Sequence, residues 1–341
     1  MSNNILITGV SGFIGFHLTL KLLESGFRVV GIDNMNDYYE VSLKEARLNE
    51  IYRSSRKNGN NFNFKEFDIK DHLKVKEVFK EYEPEIVFHL AAQAGVRYSI
   101  LNPKSYVDAN LVGFANILES CREYSVKNLI YASSSSVYGG NSKIPFSEED
   151  PVDHPLNLYA ASKKANELMA HSYSNLYGIP CTGIRFFTVY GPWGRPDMAP
   201  MIFTKSIVSN KPIKIFNNGE MYRDFTYIDD VIKILLKLKD KPAIPDINFV
   251  KNGPNPSISW CPHMIFNLGR GQSIKLTDFV DILEEELKIK CIREYLPLQD
   301  GDAKATWAET SKIHKWLGLK QKINLKDGLK DFVDWYKKYY L

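Results

Sequence analysis

Asn4-Ile5-Leu6-Ile7-Thr8-Gly9-Val10-Ser11-Gly12-Phe13-Ile14-Gly15 is the stretch whose reading decides the fold. Residues 4–8 read as a short buried strand. Glycines follow, and then residues 14–23 carry an apolar helical pattern that ends at Gly26. Residues 28–32 read as a second strand. A strand–helix–strand unit of about 30 residues is the size of a βαβ crossover. Further buried-strand candidates lie at 62–67, 86–90, 128–132 and 181–187, with helical segments near 72–82, 104–124 and 157–177 between them. Alternating strands and helices imply an α/β fold, a doubly wound parallel sheet with helices on both faces. Beyond Phe187 the pattern is less regular. Strand-like 213–216 and 224–228 precede a helix near 229–239, and the proline-bearing 241–262 reads as a long surface loop. A helix near 276–288, a strand near 290–295 and a helix near 325–340 complete the chain. Residues 54–63 read as a solvated loop.

The chain has 341 residues, enough for two lobes. Apolar residues make up 44% and charged residues 25%, which excludes a disordered chain, a fibre and a disulfide-rich mini-protein. The net charge of +4 comes without a long basic block, so no nucleic-acid partner is expected, though the excess helps attract an anionic substrate. Cys121, Cys181, Cys261 and Cys291 stand far apart and suggest no metal site; they read as reduced thiols. The histidines, His17, His89, His154 and His171 among them, show no ligand spacing and read as structural. Residues 5–20 are interrupted by Thr8, Gly9, Ser11, Gly12, Gly15 and His17, so neither a signal peptide nor a membrane span is expected. These features point to a cytoplasmic protein.

The glycine turn sits where the first strand meets the first helix. Glycines let a backbone approach a pyrophosphate, and the helix N-terminus offers free N–H groups. The spacing is GxxGxxG, and alone it also fits an ordinary tight turn. Asp33 ends the second strand, where a carboxylate can accept from the ribose hydroxyls of an adenosine and repel a 2′-phosphate. That favours NAD over NADP. Asp68-Ile69 stands where an adenine edge can be read, and Leu90-Ala91-Ala92-Gln93 ends another strand with small residues. Tyr159 and Lys163 form a YxxxK pair on one helix face. A phenol with pKa of about 10 needs a neighbouring positive charge to serve as a base near neutral pH. Tyr131-Ala132-Ser133-Ser134-Ser135-Ser136 places hydroxyls at a strand's C-terminal end, which faces the ligand crevice of an open α/β sheet. Each element alone reads equally as loop or surface; their order along the chain is what points to a site.

On these motifs the chain resembles an extended short-chain dehydrogenase/reductase, in the nucleotide-sugar epimerase and dehydratase group, over essentially its whole length. The resemblance implies a Rossmann NAD domain over 1–187, to which about 224–267 return, and a smaller mixed α/β UDP-sugar domain mainly over 188–341. It implies a cofactor set of Gly9, Gly12, Phe13, Ile14, Gly15, Asp33, Asn34, Asp68, Ile69, Leu90, Ala91, Ala92 and Gln93, with Tyr159 and Lys163. It makes Tyr159 the base, Lys163 its partner and a ribose ligand, and Ser134 the hydroxyl on the sugar's 4-oxygen. It also implies a homodimer through the helices near 104–124 and 157–177.

The similar 4,6-dehydratases carry an Asp-Glu pair where this chain has Ser135-Ser136, and UDP-glucuronate decarboxylases carry Glu at Ser136. Hydroxyls have the wrong pKa for that work. What remains is reversible 4-epimerisation through a 4-keto sugar. The stretch from Arg185 to Ala199 is similar to UDP-glucuronate 4-epimerases, as are Asn36-Asp37-Tyr38-Tyr39 and Ala94 to Ser99. A UDP-hexuronate substrate is therefore expected, with UDP-N-acetylhexosamine or its uronate as the alternative and UDP-glucuronate decarboxylation third. A non-catalytic NAD-binding protein is a further alternative. Thr188, Ser135, Ser136 and Arg195 are candidate donors to the sugar carboxylate, with Arg97 a weaker one. Arg223, Gln299 and Asp302 match diphosphate and uridine positions.

Overall fold

The computed structural model describes residues 4–59, 61–249, 254–299, 303–319 and 323–341. Seven parallel strands form the central sheet: β1 (Asn4–Thr8), β2 (Arg28–Asp33), β3 (Phe62–Glu66), β4 (Ile86–His89), β5 (Asn128–Ser134), β6 (Cys181–Phe186) and an edge strand, His263–Leu268. Their spatial order is β3-β2-β1-β4-β5-β6 and then His263–Leu268. The order reverses between β1 and β4, which opens a crevice at the strands' C-terminal ends.

Alternation along each strand explains why the sheet is covered on both faces. Ile5 and Ile7 of β1 join the core on one face, and Leu6 joins the core on the other. Val29 and Val30 of β2 divide in the same way. On the first face lie Leu18, Leu22 and Leu23 of helix α1 (Phe13–Glu24) and Val231, Leu235 and Leu238 of the helix Ile228–Lys239. On the second lie Val75, Val78 and Phe79 of helix α3 (His72–Tyr82), with Ile117, Leu118 and Cys121 of the helix Gly113–Glu123. A near-continuous apolar strand with this division is what a parallel sheet buried on both sides requires.

Beyond the sheet, the helices Ala199–Val208, Leu276–Leu287 and Leu325–Tyr340 pack over short strand pairs. Ile213–Ile215 pairs parallel with Arg293–Tyr295, and Tyr222–Arg223 pairs with both Ile274–Lys275 and Ala305–Thr306. Phe225 stacks on Phe279, ring centroids 4.3 Å apart. No helix among the described residues is long and apolar enough to cross a membrane.

Two details differ from the sequence reading. Residues 54–57 are helix, the last turn of α2 (Val41–Lys57), and β3 begins at Phe62. The expected loop 54–63 therefore shrinks to the turn between them. The sequence hides α2 because Lys44, Arg47 and Ser55 share its buried face with Leu43, Leu48 and Ile51, breaking the apolar stripe. The segment 104–124 is helical with a π-helical stretch, Val107–Val112, inside it.

Arg47 is fully buried. Its Nη1 donates to the Ser11 carbonyl (2.9 Å) and the Tyr39 hydroxyl (2.8 Å). Its Nη2 donates to the carbonyls of Trp193 (2.6 Å) and Gly194 (3.3 Å). One guanidinium thus joins the glycine turn to a loop almost 150 residues away. His17 adds a second tie, from Nε2 to the Pro192 carbonyl at 2.9 Å; burial pushes its pKa down to about 4, so the ring is neutral. Arg47→Met should lower unfolding free energy by about 3 kcal/mol or more, because buried carbonyls lose their donor. Exposed Arg53→Met should stay within about 0.5 kcal/mol. Urea denaturation of both variants checks this; equal midpoints would remove Arg47 from the fold's supports.

Candidate functional site

A cavity of about 1240 Å³ runs from the glycine turn to Arg223, Leu276 and Thr306. At its first end, Gly9 has φ of +74°, and a Cβ there would stand 2.7 Å from the Ala91 nitrogen. A Cβ at Gly15 would collide with the Gly9 carbonyl oxygen. The two glycines let α1 begin directly against the turn, so that the helix N-terminus points at the cavity.

Asp33 ends β2 beside that turn. Its Oδ2 accepts from the Ser11 N–H and its Oδ1 from the Met35 N–H, each at 3.0 Å. Burial pushes its carboxyl above the ordinary value, and Lys44 and the two N–H groups pull against that. Asn34 donates to Asp68 Oδ2 at 3.2 Å across the mouth. On the opposite wall the Ala91 N–H is held by Thr8 Oγ1 (3.2 Å) and the Gln93 N–H by Asn110 Oδ1 (2.8 Å). A cradle that no side chain can fill, a helix N-terminus and a strand-end carboxylate together fit NAD.

The middle of the cavity holds Ser134, Tyr159 and Lys163. Ser134 ends β5 and caps the short turn Ser135–Tyr138, its Oγ accepting from the Ser136 N–H at 3.2 Å. Tyr159 lies in the first turn of the helix Leu158–Tyr177, which Asn157 caps through the Ala160 N–H at 2.9 Å. Tyr159, Lys163 and Glu167 follow at intervals of four and face the sheet. Glu167 accepts from Arg185 Nε (2.8 Å) and Nη2 (2.9 Å), and from Ser133 Oγ (2.7 Å). This buried pair holds the helix against β5 and β6.

Lys163 Nζ donates to the Ala132 carbonyl at 2.8 Å, and burial lowers its pKa to about 7. Burial raises the Tyr159 phenol, while a hydrogen bond with Ser134 and the charge of Arg195 lower it. The charge of Asp197, paired with Arg195, raises it again. Tyr106 packs edge-on against Tyr159, centroids 6.0 Å apart.

Ser135, Ser136, Thr188 and Arg195 line the next section. Arg195 is paired with Asp197, from Nε to Oδ1 at 3.0 Å and from Nη2 to Oδ2 at 2.5 Å. The Tyr38 hydroxyl donates to Asp197 Oδ2 at 3.1 Å. Burial works to raise the Asp197 carboxyl, but the Arg195 guanidinium holds it below its ordinary value. At the far end the Arg97 guanidinium lies 4.9 Å from the centre of the Phe216 ring. Arg223 also lines the wall, its Nη1 donating to the carbonyls of Tyr222 (2.9 Å) and Lys304 (3.3 Å).

Every other described residue of the sequence-derived cofactor and substrate sets lines this one cavity, but Gln299 does not. Asp302 lies outside the described residues. Lys44, Tyr38, Asp197 and Phe216 line the wall without having been assigned a role from sequence. Lys44 donates to the Asn36 carbonyl at 2.5 Å and sits on the hidden helix α2. The available signal was two cations, Lys44 and Arg47, three apart on the helix face that carries Leu43, Leu48 and Ile51. Among the described residues no group of three or more His, Cys, Asp or Glu side chains is placed to hold a metal.

The family profile describing GDP-mannose 4,6-dehydratases matches residues 6–332. Protein CapI of Staphylococcus aureus is 49% identical, over 98% of this chain and 99% of that one. The probable UDP-glucuronate 4-epimerase of Rhizobium meliloti (strain 1021) is 44% identical, over 98% of this chain and 97% of its own. The crystal structure of UDP-glucuronic acid 4-epimerase from Bacillus cereus, in complex with UDP-glucuronic acid and NAD, aligns with a TM-score of 0.85. It is 32% identical and covers 99% of this chain and 100% of its own. The chain belongs to the GDP-mannose 4,6-dehydratase family, the nucleotide-sugar epimerase and dehydratase group that its motifs resemble, and its relatives there include UDP-glucuronate 4-epimerases.

Proposed function

We propose that this enzyme interconverts UDP-glucuronate and UDP-galacturonate by 4-epimerisation, using one NAD retained through each turnover. The observation that carries the reading is the shared cavity: dinucleotide cradle, Ser134–Tyr159–Lys163 and an arginine with hydroxyls all line it. Similarity to proteins named for this reaction supports it. Residues 1–187, with about 224–267, form the cofactor lobe in this reading, and 188–341 mainly the UDP-sugar lobe.

NAD, when bound, supplies a reversible acceptor for the hydride on sugar C4. The chain's own residues then handle the proton and the position. Tyr159 takes the 4-hydroxyl proton and later returns it. In the resting site burial keeps its phenol protonated, so it becomes a base only beside an added positive charge. Ser134 holds the 4-oxygen by a hydrogen bond. Lys163, fixed on the Ala132 carbonyl, holds the cofactor ribose. Arg195, Thr188, Ser135 and Ser136 receive the sugar carboxylate; Arg97, Arg223, Gln299 and Asp302 serve the UDP end. With hydroxyls at 135 and 136, no carboxyl stands ready there to remove the C5 proton, which opposes dehydration. The 4-keto uronate is a β-keto acid, so its carboxylate must be held away from the geometry that breaks C5–C6.

We infer a homodimer as well. Ile100, Leu101, Val107 and Val112 are exposed along residues 98–112, and Leu168 and Leu176 along the helix Leu158–Tyr177. Pairing these faces in a second copy buries them in a four-helix bundle. The four cysteines are free thiols, which suits the reducing cytoplasm we propose.

Purified protein incubated with UDP-glucuronate and no added NAD should give the anomeric proton signal of UDP-galacturonate, carboxylate retained. Release of CO₂ with a UDP-pentose would put decarboxylation in its place. Tyr159→Phe should lose about 10²-fold or more in kcat while copurifying with the same amount of NAD; full activity would remove Tyr159 as the base. Leu101→Glu combined with Leu168→Glu should halve the mass measured by light scattering, and an unchanged mass would place the interface elsewhere.

A further inference from the structure

Arg195 meets the cavity with one of its two carboxylate-binding edges already occupied. Asp197 takes the side-on edge, through Nε and Nη2. Neither of these bonds uses Nη1, so the end-on edge is what Asp197 leaves for a ligand, with the Tyr38 hydroxyl also close enough to act on the guanidinium. Asp197 is itself fixed: Tyr38, 159 residues away on the cofactor side, donates to it. The pair is only about a quarter exposed, at 24% and 26% of the side chains, and both residues line the cavity with Tyr159.

A cation placed to recognise an acidic sugar normally benefits from being unpaired. Here a full negative charge stands directly behind it. Coulomb energy falls inversely with distance, so an anion twice as far away as the cation cancels roughly half the attraction. An epimerase has a reason to accept that loss. The 4-keto sugar must turn over between removal and return of its hydrogen, and a carboxylate clamped by an uncompensated arginine would resist turning. A ground state held too firmly raises the barrier that follows it.

We propose that Asp197, anchored by Tyr38, is a positioning residue that aims the end-on edge of Arg195 at the sugar carboxylate and weakens its grip enough for the keto sugar to rotate. This rests on the reading of Arg195 as a carboxylate donor, and the test separates the two.

The holoenzyme is compared with Asp197→Asn, Tyr38→Phe and Arg195→Ala. UDP-glucuronate serves as substrate and UDP-glucose as a neutral competitive inhibitor. Asp197→Asn keeps an oxygen for Arg195 and removes the charge. Its KM for UDP-glucuronate should fall about tenfold and its kcat by a similar factor, while the UDP-glucose inhibition constant moves less than about twofold. Fluorescence from reduced cofactor at steady state should rise, because the keto sugar waits longer between its two faces. Tyr38→Phe, which removes one oxygen and carries the same test should Asp197→Asn fail to fold, should shift KM and kcat in the same directions, about threefold. A raised KM in Asp197→Asn with kcat unchanged, or parallel movement of the UDP-glucose constant, overturns the proposal. Arg195→Ala decides the underlying reading. If it leaves the preference for UDP-glucuronate over UDP-glucose intact, Arg195 is no carboxylate donor and both claims fall. If it abolishes the preference while Asp197→Asn and Tyr38→Phe shift nothing, only the Asp197 claim falls.

Discussion

A buried guanidinium must be given oxygens, and Arg47 draws its oxygens from three separate segments. Those segments are the glycine turn at Ser11, the loop at Tyr39 and the loop at Trp193 and Gly194. None of its four acceptors is a carboxylate, so its charge is spread over carbonyl and hydroxyl dipoles. The price of burying a charge this way is met only if all three loops hold their positions together. The cofactor turn and the loop bearing Arg195 and Asp197 are thereby made parts of one object. Aromatic packing continues the same contact, with Trp193 against Phe16 on α1 and against Trp335 and Tyr339 on the C-terminal helix.

The cavity's other charges are also satisfied within the protein. Lys163 is committed to a carbonyl and lowered by burial; Glu167 and Arg185 form a pair beneath the strand ends. Tyr159, raised by burial, stays protonated in the resting site. The cofactor end is held on the acidic side by Asp33, whose carboxyl oxygens are already engaged by Ser11 and Met35.

How far this was legible in the sequence follows from distance along the chain. The sheet was legible because each strand is a local run, and the alternation of Ile5, Leu6 and Ile7 between two cores is local too. The glycine turn, Asp33 and the Tyr159/Lys163 pair each show within about 20 residues, and their types name their chemistry. Helix α2 was not legible, since Lys44 and Arg47 are polar residues on a buried face, and only the loops they bind explain them. Tyr38 and Asp197 were visible as parts of similar stretches, but nothing in either stretch says that they meet. Residue identity showed a hydroxyl, a carboxylate and a guanidinium; only the fold showed that the first two answer the third.

That long-range arrangement also joins the cofactor turn to the loop bearing Arg195. Tyr38 stands on the loop just after Asp33, and Arg195 on the loop tied by Arg47 to the glycine turn. Two routes of contact connect the cofactor turn with the loop of Arg195, a carbonyl clamp and a hydroxyl on a carboxylate. Both routes end on the same guanidinium. In the proposed reading, a scaffold shared with dehydratases changes its reaction without changing its cradle, since the residues assigned to the outcome line the same cavity. Serines at 135 and 136 remove the acid–base groups that would carry the sugar onward to dehydration. In the proposed reading, an arginine weakened by Asp197 leaves the sugar the freedom to return its hydrogen on the other face.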